Sequence, residues 1–199
     1  AAAAGAEIQT GVDVAEILVT DGRAQGVVLD DGRDFRAPVV VSNADPKRTF
    51  LKLVPKDCLP SDFVGQIEAY RCEGASFKIN LALGELPSYS ALPGTALGPQ
   101  HRGTTHICAS LDGLERAWDE AKFGAPSREP LLEITIPTAY DPPLAPSGKH
   151  VMSIFAQYAP YSLREGEWDD QQRQAFVDRC IDLLAEYAPN IRGAIEGVY

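Results

Sequence analysis

Two Asp-Gly dipeptides, Asp21-Gly22 and Asp31-Gly32, constrain this chain more than anything else in it. Gly takes positive φ at no steric cost, so Asp-Gly between apolar runs marks a tight hairpin. The runs around them, Val14 to Thr20, Gln25 to Asp30 and Asp34 to Arg36, are the predicted strands, and Val14 to Asp34 reads as a β-meander. A further strand is expected at Ala6 to Thr10. Val39-Val40-Val41, in a strand expected to reach Asn43, is of another kind. An unbroken β-branched run suits a strand buried on both faces of a parallel sheet. The expectation is that it inserts into a sheet this chain does not contain.

After Val41 the periodicity turns helical. Pro46 to Leu53 is a predicted helix with Asp45 as its cap and Pro46 at the first position. Ser61, read as a second cap, opens a helix to about Tyr70 that puts Phe63, Ile67 and Tyr70 on one face. From Gly74 the pattern switches again. In Ala75 to Leu83, Phe77, Ile79, Leu81 and Leu83 point one way, and Ser76, Lys78 and Asn80 the other. Strands are expected at Thr104 to Ala109, Leu131 to Ile136 and His150 to Gln157, with a helix from Leu111 to Phe123 between the first two. Asp169 to Tyr187 is a long helix whose apolar side is Phe176, Cys180, Ile181, Leu183 and Leu184, ended by Pro189. The class is α+β: residues 1–45 as the edge of one domain, and residues 46–199 as a second domain with a mixed sheet and helices.

With 45% hydrophobic and 23% charged residues the chain has the composition of a globular protein. Its net charge of −10 sets it against nucleic acid, whose phosphates would repel it. No apolar stretch approaches the roughly 20 residues of a membrane helix, so no stable membrane insertion is expected. Cys58, Cys72, Cys108 and Cys180 form no C-x-x-C pair and stand near no His at metal spacing. They are read as reduced, in a cytoplasm-like compartment, with Cys108 and Cys180 packing as small hydrophobes inside apolar runs. Ala1 to Gly5 reads as the last turn of a helix, and the chain stops on the apolar run before Tyr199, so it is expected to be an internal segment of a larger protein.

The sequence holds no G-x-G-x-x-G, Walker A, H-E-x-x-H or G-x-S-x-G motif. Asp30-Asp31 beside a turn and Asp169-Asp170 at a helix start have structural roles, and no metal site is expected. His106, alone in a strand, reads first as a structural histidine. The polar residues that alternate along strands carry more chemistry: Lys78 with Asn80, Glu133 with Thr135, and Ser153 with Gln157. If those strands are neighbours, the residues line a cavity of mixed polarity. The competing reading is a solvated face with matched pairs such as Lys78 and Glu133.

The run from Ile17 to Gly32, and Val40-Val41-Ser42-Asn43-Ala44-Asp45-Pro46 after it, resembles the phytoene-dehydrogenase-like group of FAD-dependent oxidoreductases. Gly74 to Leu83, Pro126 to Pro137, Gly148 to Phe155 and Gln157 to Tyr161 are similar to its branch of pyridine nucleotide-disulphide oxidoreductase domain-containing 2 proteins. The resemblance implies a meander at the edge of a Rossmann-type FAD domain, then a substrate domain. It implies FAD contacts at Val14 through its backbone and at Asn43 and Ala44, and a substrate cavity roofed by Lys78, Asn80 and Glu133. The Gly-rich phosphate loop of such proteins is not in this sequence, so FAD would be bound by the larger protein and not kept by these residues alone.

Two functions follow as expectations. One is an inactive internal part of an FAD-dependent dehydrogenase or desaturase acting on a small apolar substrate. The other is a non-catalytic flavoprotein-like scaffold that binds or regulates a partner. The edge at Val39 to Val41 is expected to promote self-association.

Overall fold

The computed structural model describes residues 2–108 and 110–199. The ends of two expectations, the alanine turn from Ala1 and the strand to Ala109, lie outside the described residues. The chain divides into two compact units, residues 1–72 and 73–199.

In the first unit, β1 (Val14–Thr20), β2 (Arg23–Leu29) and β3 (Asp34–Arg36) form an antiparallel sheet in that order. Thr20 pairs with Arg23 across Asp21 and Gly22, whose φ values of 51° and 70° are those of a two-residue hairpin turn. Gly26 follows an irregularity in the β1–β2 register and has φ 150°, and a Cβ there would lie 2.1 Å from Phe35 O. The meander expected around the Asp-Gly turns is present. The strands expected at Ala6 to Thr10 and Val39 to Asn43 are not. A strand exists only through its ladder, and neither segment has a ladder partner among the described residues, leaving Val39 72% and Val41 88% exposed.

α1 (Pro46–Arg48) runs on into a wider turn over Thr49–Leu53. Asp45 caps it as expected, its carboxylate accepting the Arg48 N–H at 3.0 Å. α2 (Ser61–Ala69) starts one residue after Pro60, which is its cap, so Ser61 caps nothing and lies inside the helix. Phe50 and Phe63 meet edge to face at 5.0 Å between centroids.

The second unit is built on β4 (Ser76–Leu83), β5 (Thr105–Ile107), β6 (Leu131–Thr135), β7 (His150–Gln157) and β8 (Ile195–Val198), with α3 (Leu111–Lys122), α4 (Asp170–Tyr187) and α5 (Ile191–Ala194). The strand order is β5-β6-β7-β4-β8. Every described pairing is antiparallel, so the mixed sheet expected is an antiparallel one. The one-sided alternation of Ser76 to Leu83 is the signature of such a sheet, whereas a parallel strand is apolar on both faces. β8 had no periodicity to announce it. It pairs with β4 as an edge strand, and Asn80 and Tyr199 exchange backbone bonds at 2.8 and 2.9 Å.

One face of this sheet carries the core. Ile79, Leu81, Leu83, Leu132, Ile134, Met152 and Ile154 pack against Phe176, Val177, Cys180, Ile181 and Leu184 of α4. Asp169 caps α4, accepting the Gln172 N–H at 2.7 Å, and Phe77 joins Trp168 and Phe176 at the end of the core. Ser127, fully buried, ties α3 to the end of β7, bonding Ala117 O at 2.8 Å and the Tyr158 N–H at 3.1 Å. Asn190, at the start of α5, holds the chain after β4 through Glu85, Leu86 O and the Ser88 N–H.

Candidate functional site

The opposite face of the five-stranded sheet carries the polar residues of the alternation. Register aligns them in rows. Lys78 stands opposite Phe155, Phe155 opposite Glu133, and Glu133 opposite His106. In the next row are Asn80, Ser153 and Thr135, and in another Ser76, Gln157 and Leu131. Lys78, Asn80 and Glu133 therefore share one face. Phe155, 37% exposed, gives that face its main apolar surface.

The hydrogen bonds differ from those expected. Glu133 does not pair with Lys78, because β7 lies between their strands, which puts them about 10 Å apart at ordinary strand spacing. Glu133 Oε1 instead meets His106 Nε2 at 2.9 Å, and Oε2 accepts Gln157 Nε2 at 3.1 Å. Both carboxylate oxygens are engaged. Lys78 forms no ion pair among the described residues. Asn80 Oδ1 accepts the Ser153 hydroxyl at 2.9 Å. His106 thus has a specific carboxylate partner, which its position alone in a strand did not disclose. The signal available was register: His106 stands opposite Glu133, and Gln157 lies diagonally from Glu133 on the same face, two residues on from Phe155.

The other histidines do different work. His101 is 2% exposed; its Nδ1 accepts the Gly98 N–H at 3.1 Å, so Nε2 carries the proton and donates to Pro87 O at 2.8 Å. His150 Nδ1 lies 3.4 Å from the Thr138 hydroxyl, and burial, then the nearby His101, push its pKa below the usual imidazole value. Cys180 is buried and its thiol is pushed up to about 12 by burial. Cys108, expected in an apolar interior, is exposed: β5 ends at Ile107, and Cys108 already leaves the sheet, its Sγ 3.3 Å from Ser110 O.

In the first unit, Val14 lines a shallow groove of about 300 Å³ with Val12, Leu29 and Phe35. Asn43 is exposed, and Ala44 O accepts the Thr49 hydroxyl at 3.2 Å. No hydrogen bond joins Val14 to Asn43 or Ala44 among the described residues. A broader groove of about 820 Å³ runs along Arg23, Gln25, Arg36, Pro38, Val39 and Val40. β1 is an edge strand, so alternate backbone groups along it point away from β2, as a backbone contact at Val14 requires. With Asn43 exposed this fits the rim of a dinucleotide site, but among the described residues no Gly-rich loop stands there for its phosphates, and the short α1 start is taken by the Asp45 carboxylate.

Comparison with known proteins decides the relationship. The pyridine nucleotide-disulfide oxidoreductase domain-containing protein 2 of Mus musculus is 41% identical over 202 residues, 98% of this chain and 35% of that protein. The chain is its homologue. Prolycopene isomerase of Arabidopsis thaliana is 31% identical over 76% of the chain and 22% of its own length. The lycopene-forming phytoene desaturase of Pseudescherichia vulneris is 28% identical over 96% of the chain and 36% of its own length. The resemblance carried by Gly74 to Leu83 and Pro126 to Pro137 is thus borne out, and the phytoene-dehydrogenase-like relationship with it. The chain spans about a third of the length of the first curated relatives it matches. No protein-family model matches it. No described helix is long and apolar enough to cross a membrane.

Proposed function

We propose that these 199 residues are the interior of a flavin-dependent oxidoreductase of the phytoene-dehydrogenase-like kind, inactive by themselves. The observation that carries this is the 41% identity, over nearly the whole chain, to a third of a protein named for its oxidoreductase domain. In this reading residues 1–45 belong to the flavin domain, with Val14, Asn43 and Ala44 near the cofactor. Residues 46–199 form the substrate domain. α1 and α2 pack within the first compact unit, so their assignment to the substrate domain is part of the proposal. FAD, held mainly by other parts of the protein, supplies the redox chemistry. The open sheet face, with Lys78, Asn80 and Glu133 around Phe155, binds and orients a small substrate with an apolar body and excludes water from it. The protein works in a reducing, cytoplasm-like compartment.

The test is the visible absorption spectrum of a full-length protein carrying this segment, purified gently. A flavin spectrum is expected there, and none from the 199-residue chain mixed with FAD. A full-length protein still colourless after incubation with FAD would turn the reading to a non-catalytic scaffold. Flavin held tightly by the 199 residues would refute the division of labour between them and the rest.

A further inference from the structure

We infer that the open sheet face recognises a proton-bearing oxygen, a hydroxyl or an enol, on an otherwise apolar substrate, with His106 as the proton acceptor and Glu133 as its positioning residue. This rests on the proposed function, in which that face meets the substrate.

An ionised carboxylate only accepts hydrogen bonds, so the 2.9 Å contact requires the hydrogen on His106 Nε2. Gln157 holds the second oxygen at 3.1 Å, which fixes the plane of the Glu133 carboxylate and through it the imidazole. The remaining nitrogen, Nδ1, keeps its lone pair and has no hydrogen-bond partner among the described residues. A histidine oriented by a carboxylate, with its other nitrogen unspent, is built to take a proton. Among the described residues, register also places on this face Lys78 on β4, two strands from Glu133, and Tyr199, opposite Asn80.

The row Lys78, Phe155, Glu133, His106 has a single apolar member. A pure hydrocarbon laid over it would strip water from an ammonium, a carboxylate and an imidazole and return no hydrogen bond. An oxygen function beside an apolar chain replaces that water at His106 while Phe155 takes the chain. In the step itself the substrate O–H bond breaks and an Nδ1–H bond forms. The electron pair stays on oxygen, and Glu133 remains a carboxylate facing the imidazolium.

Two experiments test this. In the 199-residue chain, nitrogen-15 NMR of the three imidazoles should show neutral His106 as the Nε2–H tautomer. The Glu133→Gln variant should shift that tautomer ratio toward Nδ1–H, and Glu133→Asp should restore it in part. In a full-length protein, equilibrium dialysis compares farnesol with farnesene, which share an isoprenoid chain and differ by a hydroxyl. Farnesol should bind at least about tenfold tighter, since a site built for a hydroxyl disfavours the analogue without one. His106→Gln should abolish that preference. An Nδ1–H tautomer, equal affinities, no binding of either ligand, or a preference that survives His106→Gln would overturn the inference. A colourless protein that still prefers farnesol would refute the flavin reading and leave this one standing.

Discussion

Replacing Ser127 by alanine removes one hydroxyl, and the structure assigns that hydroxyl two bonds in a site with 0% exposure. Its hydrogen goes to Ala117 O at 2.8 Å and its oxygen accepts the Tyr158 N–H at 3.1 Å. The backbone bonds of Ser127, to Tyr158 O at 3.0 Å and from Arg179 at 2.8 Å, survive the substitution. Losing the bond to Ala117 costs about 0.5–1.5 kcal/mol net, and stranding the Tyr158 N–H costs about 1–3 kcal/mol more. A loss of roughly 2–4 kcal/mol is expected for the second unit. Both tryptophans, Trp118 and Trp168, lie in that unit, so urea unfolding followed by tryptophan fluorescence reports it without the meander. The midpoint should fall with the slope unchanged. Ser153→Ala is the control: its hydroxyl bonds only the exposed Asn80, which water can serve, so about 1 kcal/mol or less is expected. Equal small losses from both variants would refute the claim that Ser127 is a buried junction.

Gly26→Ala should unfold the meander alone, because its Cβ would sit 2.1 Å from Phe35 O; amide exchange should show lost protection in β2 and β3 with β4 and β7 unchanged. Burial lowers the pKa of His150 from 6.5, so the unfolded chain binds more protons below that value. Stability from this group is complete above about pH 6.5 and declines as pH falls toward the folded value; His150→Gln should flatten that part of the stability curve, and an unchanged slope would contradict the assignment. A thiol reagent should modify Cys58, Cys72 and Cys108 in the native chain, while Cys180, with its pKa of about 12, reacts only after unfolding. Peptide mapping of the modified chain checks this, and early labelling of Cys180 would mean that α4 does not pack as described.

Much of the fold is legible in the sequence because its determinants are local. Asp21-Gly22 marks its own turn, Asp45 its own cap, and the alternation of Ser76 to Leu83 its own two faces. The misreadings have a common origin. Val39 to Val41 has the residues of a buried strand, but strand formation depends on a partner that no local pattern can guarantee. Ser61 has a cap's side chain, but Pro60 takes the cap position. Cys108 follows an apolar run, yet the sheet ends one residue before it.

The candidate site divides in the same way. Lys78, Asn80 and Glu133 could be named from period-two alternation, since a strand's own geometry sends successive side chains to opposite faces. Which strand neighbours which is a long-range matter. The order β5-β6-β7-β4-β8 put β7 between Lys78 and Glu133, and gave the carboxylate to His106 and Gln157 instead. The sequence by itself determined the Asp-Gly turns, the rough extent of the longer helices and the composition of each strand face, because those follow from steric and periodic rules within a few residues. Only the tertiary structure decided the antiparallel sense of the second sheet, the β8 edge and the partners of Glu133, because register couples residues far apart in the chain.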